Sequence, residues 1–229
     1  MIRRGLLHSL MPLAVIIGAS LWGYTAIDAG ARLPVHWSLA GQADRFCVRD
    51  EALLILPFIA VGVTLLFAVL PALDPRGGNI IRSARAYLVT WLGTLWLLAL
   101  AQISVVLTAT ELWRAKADSL VPGIAVLGAA ILTSLVGNYL GKTRPNWIIG
   151  VRTPWTLTSD ITWERTHRFS GRLLVAAGIV SAATTFIYPA AGLIMLVVSV
   201  LGAIAASAAY SYLIWRNAPD KQVGLQAAD

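Results

Sequence analysis

Long apolar runs separated by short polar connectors set the pattern of this chain. A helix needs about 20 apolar residues to cross a hydrocarbon layer about 30 Å thick. Six runs reach or approach that length: about Leu6–Ile27, Ala52–Leu73, Tyr87–Ala109, Leu120–Leu140, Gly171–Ile187 and Ala190–Trp215. Only Tyr188 and Pro189 separate the last two. A tight hairpin is expected there, because proline inside a helix forfeits a backbone hydrogen bond. The pattern predicts an all-α integral membrane protein, a six-transmembrane-helix bundle forming one domain over 1–229. Arg3 and Arg4 before the first run, and Ala29-Gly30-Ala31 after it, have the form of a secretory signal. The run is longer than the 7–15 residues or so of a cleaved signal. Trp22 and Tyr24 also stand where an interfacial aromatic belt belongs. An uncleaved first helix is therefore expected.

Composition agrees with the pattern. Hydrophobic residues make up 58% and charged ones 13%, against about 25% charged in soluble domains. The net charge of +7 and pI of about 10.1 would suggest nucleic acid in a soluble protein. Here the placement of the charges gives another cause. With the N-terminus cytoplasmic, thirteen of the eighteen lysines and arginines fall on cytoplasmic segments and five outside. Loops facing the cytoplasm collect basic residues. Both termini are thus expected in the cytoplasm of a multi-pass protein of the bacterial inner membrane, with no direct nucleic-acid binding. No Asp, Glu, Lys or Arg lies well inside a span. Ion-driven pumps bury such groups at mid-membrane, so their lack argues against one. Thr64, Thr90, Gln102, Ser104, Ser134, Asn138, Ser181, Thr184, Thr185 and Ser207 do lie inside, and interhelical hydrogen bonds are expected of them. Cys47 is the one cysteine, which excludes an intramolecular disulfide and any zinc-type Cys spacing.

Two connectors carry more than connection. The segment 28–51, expected outside the cytoplasm, contains Pro34, His36, Trp37, Gly41, Asp44, Arg45 and Phe46. Pro34 favours an extended start and Gly41 a turn. The cytoplasmic segment 137–172 packs three tryptophans, two prolines and six basic residues around Asn138, Asn146, Arg152, Thr153, Trp155, Trp163 and His167. Ser159 or Asp160 is a plausible N-cap for a helix running into the fifth span. On it, Trp163, Thr166, His167 and Ser170 share one face, which would turn polar groups to the bundle mouth. Glu164-x-x-His167 resembles half of a di-iron motif, but a di-iron site needs a second such pair and further carboxylates. Ser170 and His167 are too generic for a nucleophile and base. No metal site, no cofactor and no catalytic residue is expected. The basic residues Lys142, Arg144 and Arg168 suit anionic head groups.

These residues resemble the SdpI family of bacterial membrane proteins over nearly the whole chain. Pro34-x-His36-Trp37, then Gly41, Asp44-Arg45-Phe46, looks like the family's extracellular motif. Gly137-Asn138, Pro145-Asn146, Gly150 to Leu157, Trp163, Thr166-His167 and Gly171 look like its C-terminal signature, with Val151 where isoleucine is more usual. The resemblance implies immunity against a secreted peptide toxin, and signalling by capture of a small winged-helix repressor at the membrane. It implies no enzymatic chemistry. The first motif would meet the peptide. The second would meet the cytoplasmic partner or close the bundle mouth, with Arg152 donating to a carboxylate or a carbonyl and Asn138 bonding back to the loop. A transporter, or an enzyme acting on a lipid-like substrate, is the alternative.

Overall fold

A computed structural model describes residues 1–38, 42–110 and 117–221. In chain order the elements are α1 (Ile2–Ala26), β1 (Arg32–Trp37), β2 (Ala43–Val48), α2 (Arg49–Leu73), α3 (Gly77–Arg82), α4 (Ala84–Ala109), α5 (Ala117–Leu140), α6 (Pro154–Leu157), α7 (Asp160–Ile187) and α8 (Pro189–Arg216). Six helices, α1, α2, α4, α5, α7 and α8, are long and apolar enough to cross a membrane. They match the six runs, and Tyr188 alone joins α7 to α8.

The interior is more polar than the perimeter. Ser9, Ser20, Gln102, Ser181, Ser207 and Ser211 are buried, whereas Leu7, Phe58, Leu65, Ile179 and Leu201 are each at least 60% exposed. A water-soluble bundle would be the reverse, because hydrophobic burial drives its packing. In lipid, small and polar residues line the contacts and large apolar ones face the tails. This is a multi-pass membrane bundle.

Two three-helix groups form it: α1, α2 and α4 pack together, as do α5, α7 and α8, and α4 meets α5 between them. The first group is tightened by prolines. Pro57 lacks the N–H that would bond the Leu53 carbonyl one turn back. Ser20 Oγ of α1 donates to that carbonyl at 2.8 Å, and Gln102 Nε2 of α4 donates to Ser20 Oγ at 3.0 Å. Pro71 frees the Phe67 carbonyl in the same way, and the buried Tyr87 hydroxyl of α4 donates to it. In the second group glycines permit close approach. A Cβ on Gly171 would lie 2.5 Å from the Gly137 carbonyl oxygen, and one on Gly178 would lie 2.1 Å from Ser134 Oγ.

Most of the polar residues inside the spans do not bridge helices. Thr64, Thr90, Ser104, Thr184 and Thr185 each donate to the carbonyl four residues back in their own helix. That acceptor is always within reach of a helical Ser or Thr. Gln102, Ser134 and Ser207 do make interhelical bonds.

The ends of the bundle differ. At one end, Leu33 of β1 is fully buried against Ile27, Leu53 and Val106. At the other, Met1 and Ile2 pack near Ile80, Tyr87, Ile148 and Ile149. Residues 143–157 and the C-terminal residues up to Lys221 share that second end.

Candidate functional site

The segment 143–157 caps the second end, and its shape comes from backbone hydrogen bonds to buried side chains. Asn146 is fully buried. Its Oδ1 accepts from the amides of Ile148 at 2.9 Å and Ile149 at 2.7 Å, while its Nδ2 donates to the Arg144 carbonyl at 2.8 Å. One side chain thus replaces the secondary structure that this loop lacks. Thr153 caps α6 in a reciprocal capping box with Thr156, and its hydroxyl lies 3.0 Å from Ser211 Oγ of α8. Trp155 packs on Tyr212, ring centroids 5.1 Å apart.

Beneath the cap lies His167, fully buried and stacked on Trp163 at 3.9 Å. Its Nδ1 is 2.8 Å from the Trp163 carbonyl, which can only accept. Its Nε2 is 3.0 Å from the Val151 amide, which can only donate. The imidazole is therefore neutral, with its proton on Nδ1, and both nitrogens are committed to backbone. Gly150 makes the second bond attainable. Its φ is +127°, and a Cβ there would sit 2.1 Å from His167 Nε2. Trp163 Nε1 donates to the Thr143 carbonyl at 3.1 Å, tying α7 to the start of the cap. Ser159, one of the two caps the sequence offers, caps α7 by accepting from Thr162 N at 3.0 Å.

The cap is also held by a connector that sequence reasoning passed over. Asp74 Oδ2 accepts from the Trp147 amide at 2.9 Å and its Oδ1 from the Arg76 amide at 2.6 Å. Asn79 Nδ2 donates to the Pro145 carbonyl at 2.8 Å, and Ser83 Oγ accepts from the Arg144 amide at 2.9 Å. Arg76 Nη2 donates to the Leu157 carbonyl at 3.2 Å. Segment 74–83 of the first helical group thus clamps the loop of the second. The Asp74-Pro75 pair was a readable turn signal, since Asp commonly bonds the amide two residues on. Its long-range half, to Trp147, leaves no local trace. A C-terminal latch was missed as well. Ser159 Oγ donates to Asp220 Oδ1 at 2.7 Å, and the Ile161 amide to Oδ2 at 3.1 Å. Burial pushes the Asp220 carboxyl up, but these donated bonds outweigh it and hold it below its ordinary value.

Among the residues singled out from the sequence, the structure joins Asn146, Thr153, Trp155, Trp163 and His167 in this cap. Arg152 is exposed and donates to the Trp147 carbonyl. Asn138 departs from expectation. It is exposed on α5, bordering a groove against α7, and among the described residues it bonds no part of the loop. Its helical position turns it away from the cap. The expected polar face of Trp163, Thr166, His167 and Ser170 is real but sealed, since all four are buried. Glu164 instead faces outward to Arg168, at 2.5 Å.

The 28–51 segment is a β-hairpin rather than a simple loop. Leu33 pairs with Cys47 and Pro34 with Phe46, with irregular register around His36. Arg-Leu-Pro-Val-His-Trp alternates well enough to lay Leu33 on the bundle and His36 outward. In a two-stranded sheet Pro34 can leave its missing N–H on the unpaired side. His36 Nδ1 donates to Asp44 Oδ1 at 2.6 Å, so the motif's His and Asp are cross-strand partners, both substantially exposed. Arg45 is exposed beside them, and Trp37 is half-buried, its indole N–H without a partner among the described residues. Arg49 fixes the hairpin base through the Ile27 carbonyl, 3.0 Å away, and the Tyr24 ring. Gly41 lies outside the described residues.

The SdpI/YfhL protein family matches residues 142–212, which run from the start of the cap through α7 into α8. The immunity protein SdpI of Bacillus subtilis strain 168 is 32% identical over 91 residues, 40% of this chain and 44% of that protein. The matched region thus spans under half of the relative's length. No solved structure matches.

Proposed function

We propose that this chain, which matches the SdpI/YfhL protein family over the segment that forms its cap, is an SdpI-like immunity protein protecting the membrane against a secreted peptide toxin. The likeness to an immunity protein carries this reading. The hairpin end faces outward and meets the peptide through Pro34, His36, Trp37, Gly41, Asp44 and Arg45. The cap end and both termini face the cytoplasm, consistent with the bias of basic residues to that side. There Arg152, exposed with donors to spare beyond the Trp147 carbonyl, meets a small winged-helix repressor and so signals. Asn146, Thr153, Trp155, Trp163 and His167 support that face from within.

Crosslinking in native membranes, followed by purification and mass spectrometry, tests both halves. The wild type should yield a secreted peptide and a small DNA-binding protein. His36→Ala should lose the first alone, and Arg152→Ala the second alone, at normal abundance. Recovery of neither from the wild type would sink the proposal.

A further inference from the structure

Between α5 and α7 runs an open groove of about 620 Å³. Its floor exists because Gly137, Gly141 and Gly171 carry no side chains where the helices touch; a Cβ on Gly141 would lie 3.2 Å from Arg168 Cα. Along α7 the groove is lined by Arg168, Arg172, Val175, Ala176 and Ile179. These positions follow i, i+4, i+7, i+8 and i+11, one stripe of a helix. The stripe changes from cationic to apolar within a single turn. Lys142 at the end of α5 adds a third cation beside the two arginines. Glu164 is bound to Arg168, and three basic residues against this one carboxylate leave the rim net positive. Below it, Ile179 is 61% exposed on a membrane-crossing helix.

We propose that this groove binds an anionic phospholipid: its phosphate on Lys142, Arg168 and Arg172, and one acyl chain along Val175, Ala176 and Ile179. The order of the groups selects the ligand. A free anion would use the rim and ignore the apolar wall. A zwitterionic lipid carries the same phosphate, but its choline cation is repelled by the basic rim and offsets part of that attraction. Asn138, exposed at the same rim, supplies a neutral donor to the head group. Arg165, on the same helix but outside the groove, takes no part.

Native mass spectrometry of the full chain in detergent, titrated with phosphatidylglycerol and then phosphatidylcholine, tests this. The wild type should prefer phosphatidylglycerol by fivefold or more. Arg168→Gln and Arg172→Gln should each lower that preference roughly fivefold, the effect of one basic residue facing an anionic surface. Arg165→Gln should leave it unchanged. Ala176→Phe fills the lipid-facing wall without touching the core, and should weaken both lipids. Millimolar inorganic phosphate should not displace the lipid. Equal binding of the two lipids, or unchanged preference in both arginine variants, would overturn the proposal. So would displacement by phosphate together with indifference to Ala176→Phe, which would make the rim a plain anion site.

Discussion

Gly150 and His167 are one unit in two residues. The positive φ of Gly150 brings the Val151 amide to His167 Nε2. Gly150→Ala must therefore cost backbone strain of about 1–2 kcal/mol and a collision with the ring as well. In a His167→Ala background the collision vanishes and only the strain remains. Thermal unfolding in detergent should show Gly150→Ala as clearly less harmful there than in the wild type; equal costs would mean the two residues are uncoupled. Asn146→Ala should also be damaging, by about 1–3 kcal/mol, because it strands two half-buried amides and a carbonyl. Arg152→Ala should not be, since its single bond lies at the surface. Sequence reasoning found Asn146, Arg152 and His167, because unusual polar residues stand out in a membrane chain. It could not see what they hold. Their partners are backbone groups of Trp147, Ile148 and Val151, and any sequence has those.

At the level of elements, α2 would be a broken helix without its neighbours. Ser20→Ala leaves the Leu53 carbonyl without its best donor and should destabilise by about 1 kcal/mol. Adding Pro57→Ala restores the helix's own N–H donor and should recover most of that loss. A double variant less stable than Ser20→Ala would refute this account of the proline. The start of α7 depends on a different kind of partner, the Asp220 carboxylate. Its folded pKa lies below the ordinary 3.8. The contribution is therefore complete above that value and is lost as pH falls through the folded one. Amide exchange at Ile161 should accelerate in Asp220→Asn at neutral pH, and in the wild type only under acid. The spans were legible from the apolar runs, but α7 starts at Asp160, eleven residues before its run, where the sequence offers Ser159 or Asp160 as the cap. The hairpin was hidden because its strands are short and alternate imperfectly. The Ser159–Asp220 latch was hidden because it joins positions 61 residues apart.

Across the described residues, the hairpin stands at one end, and the cap, Met1 and the C-terminal residues up to Lys221 at the other. In a Cys47→Ser background, an impermeant thiol reagent on intact cells should label Asp44→Cys. It should reach Lys221→Cys only after permeabilisation. The opposite pattern would invert the proposed sidedness. The matched segment 142–212 is the cap and the helices that carry it, whereas α1, α2 and the hairpin lie outside that match. Protection is the claim on which the functional account stands. The most direct measurement replaces the immunity protein of Bacillus subtilis strain 168 with this chain and scores survival of cells exposed to the agent against which that protein gives immunity. Survival above the empty-vector level, reduced by His36→Ala at equal membrane abundance, is the predicted result. Survival no better than the vector, with the chain folded in the membrane at the relative's abundance, would contradict it.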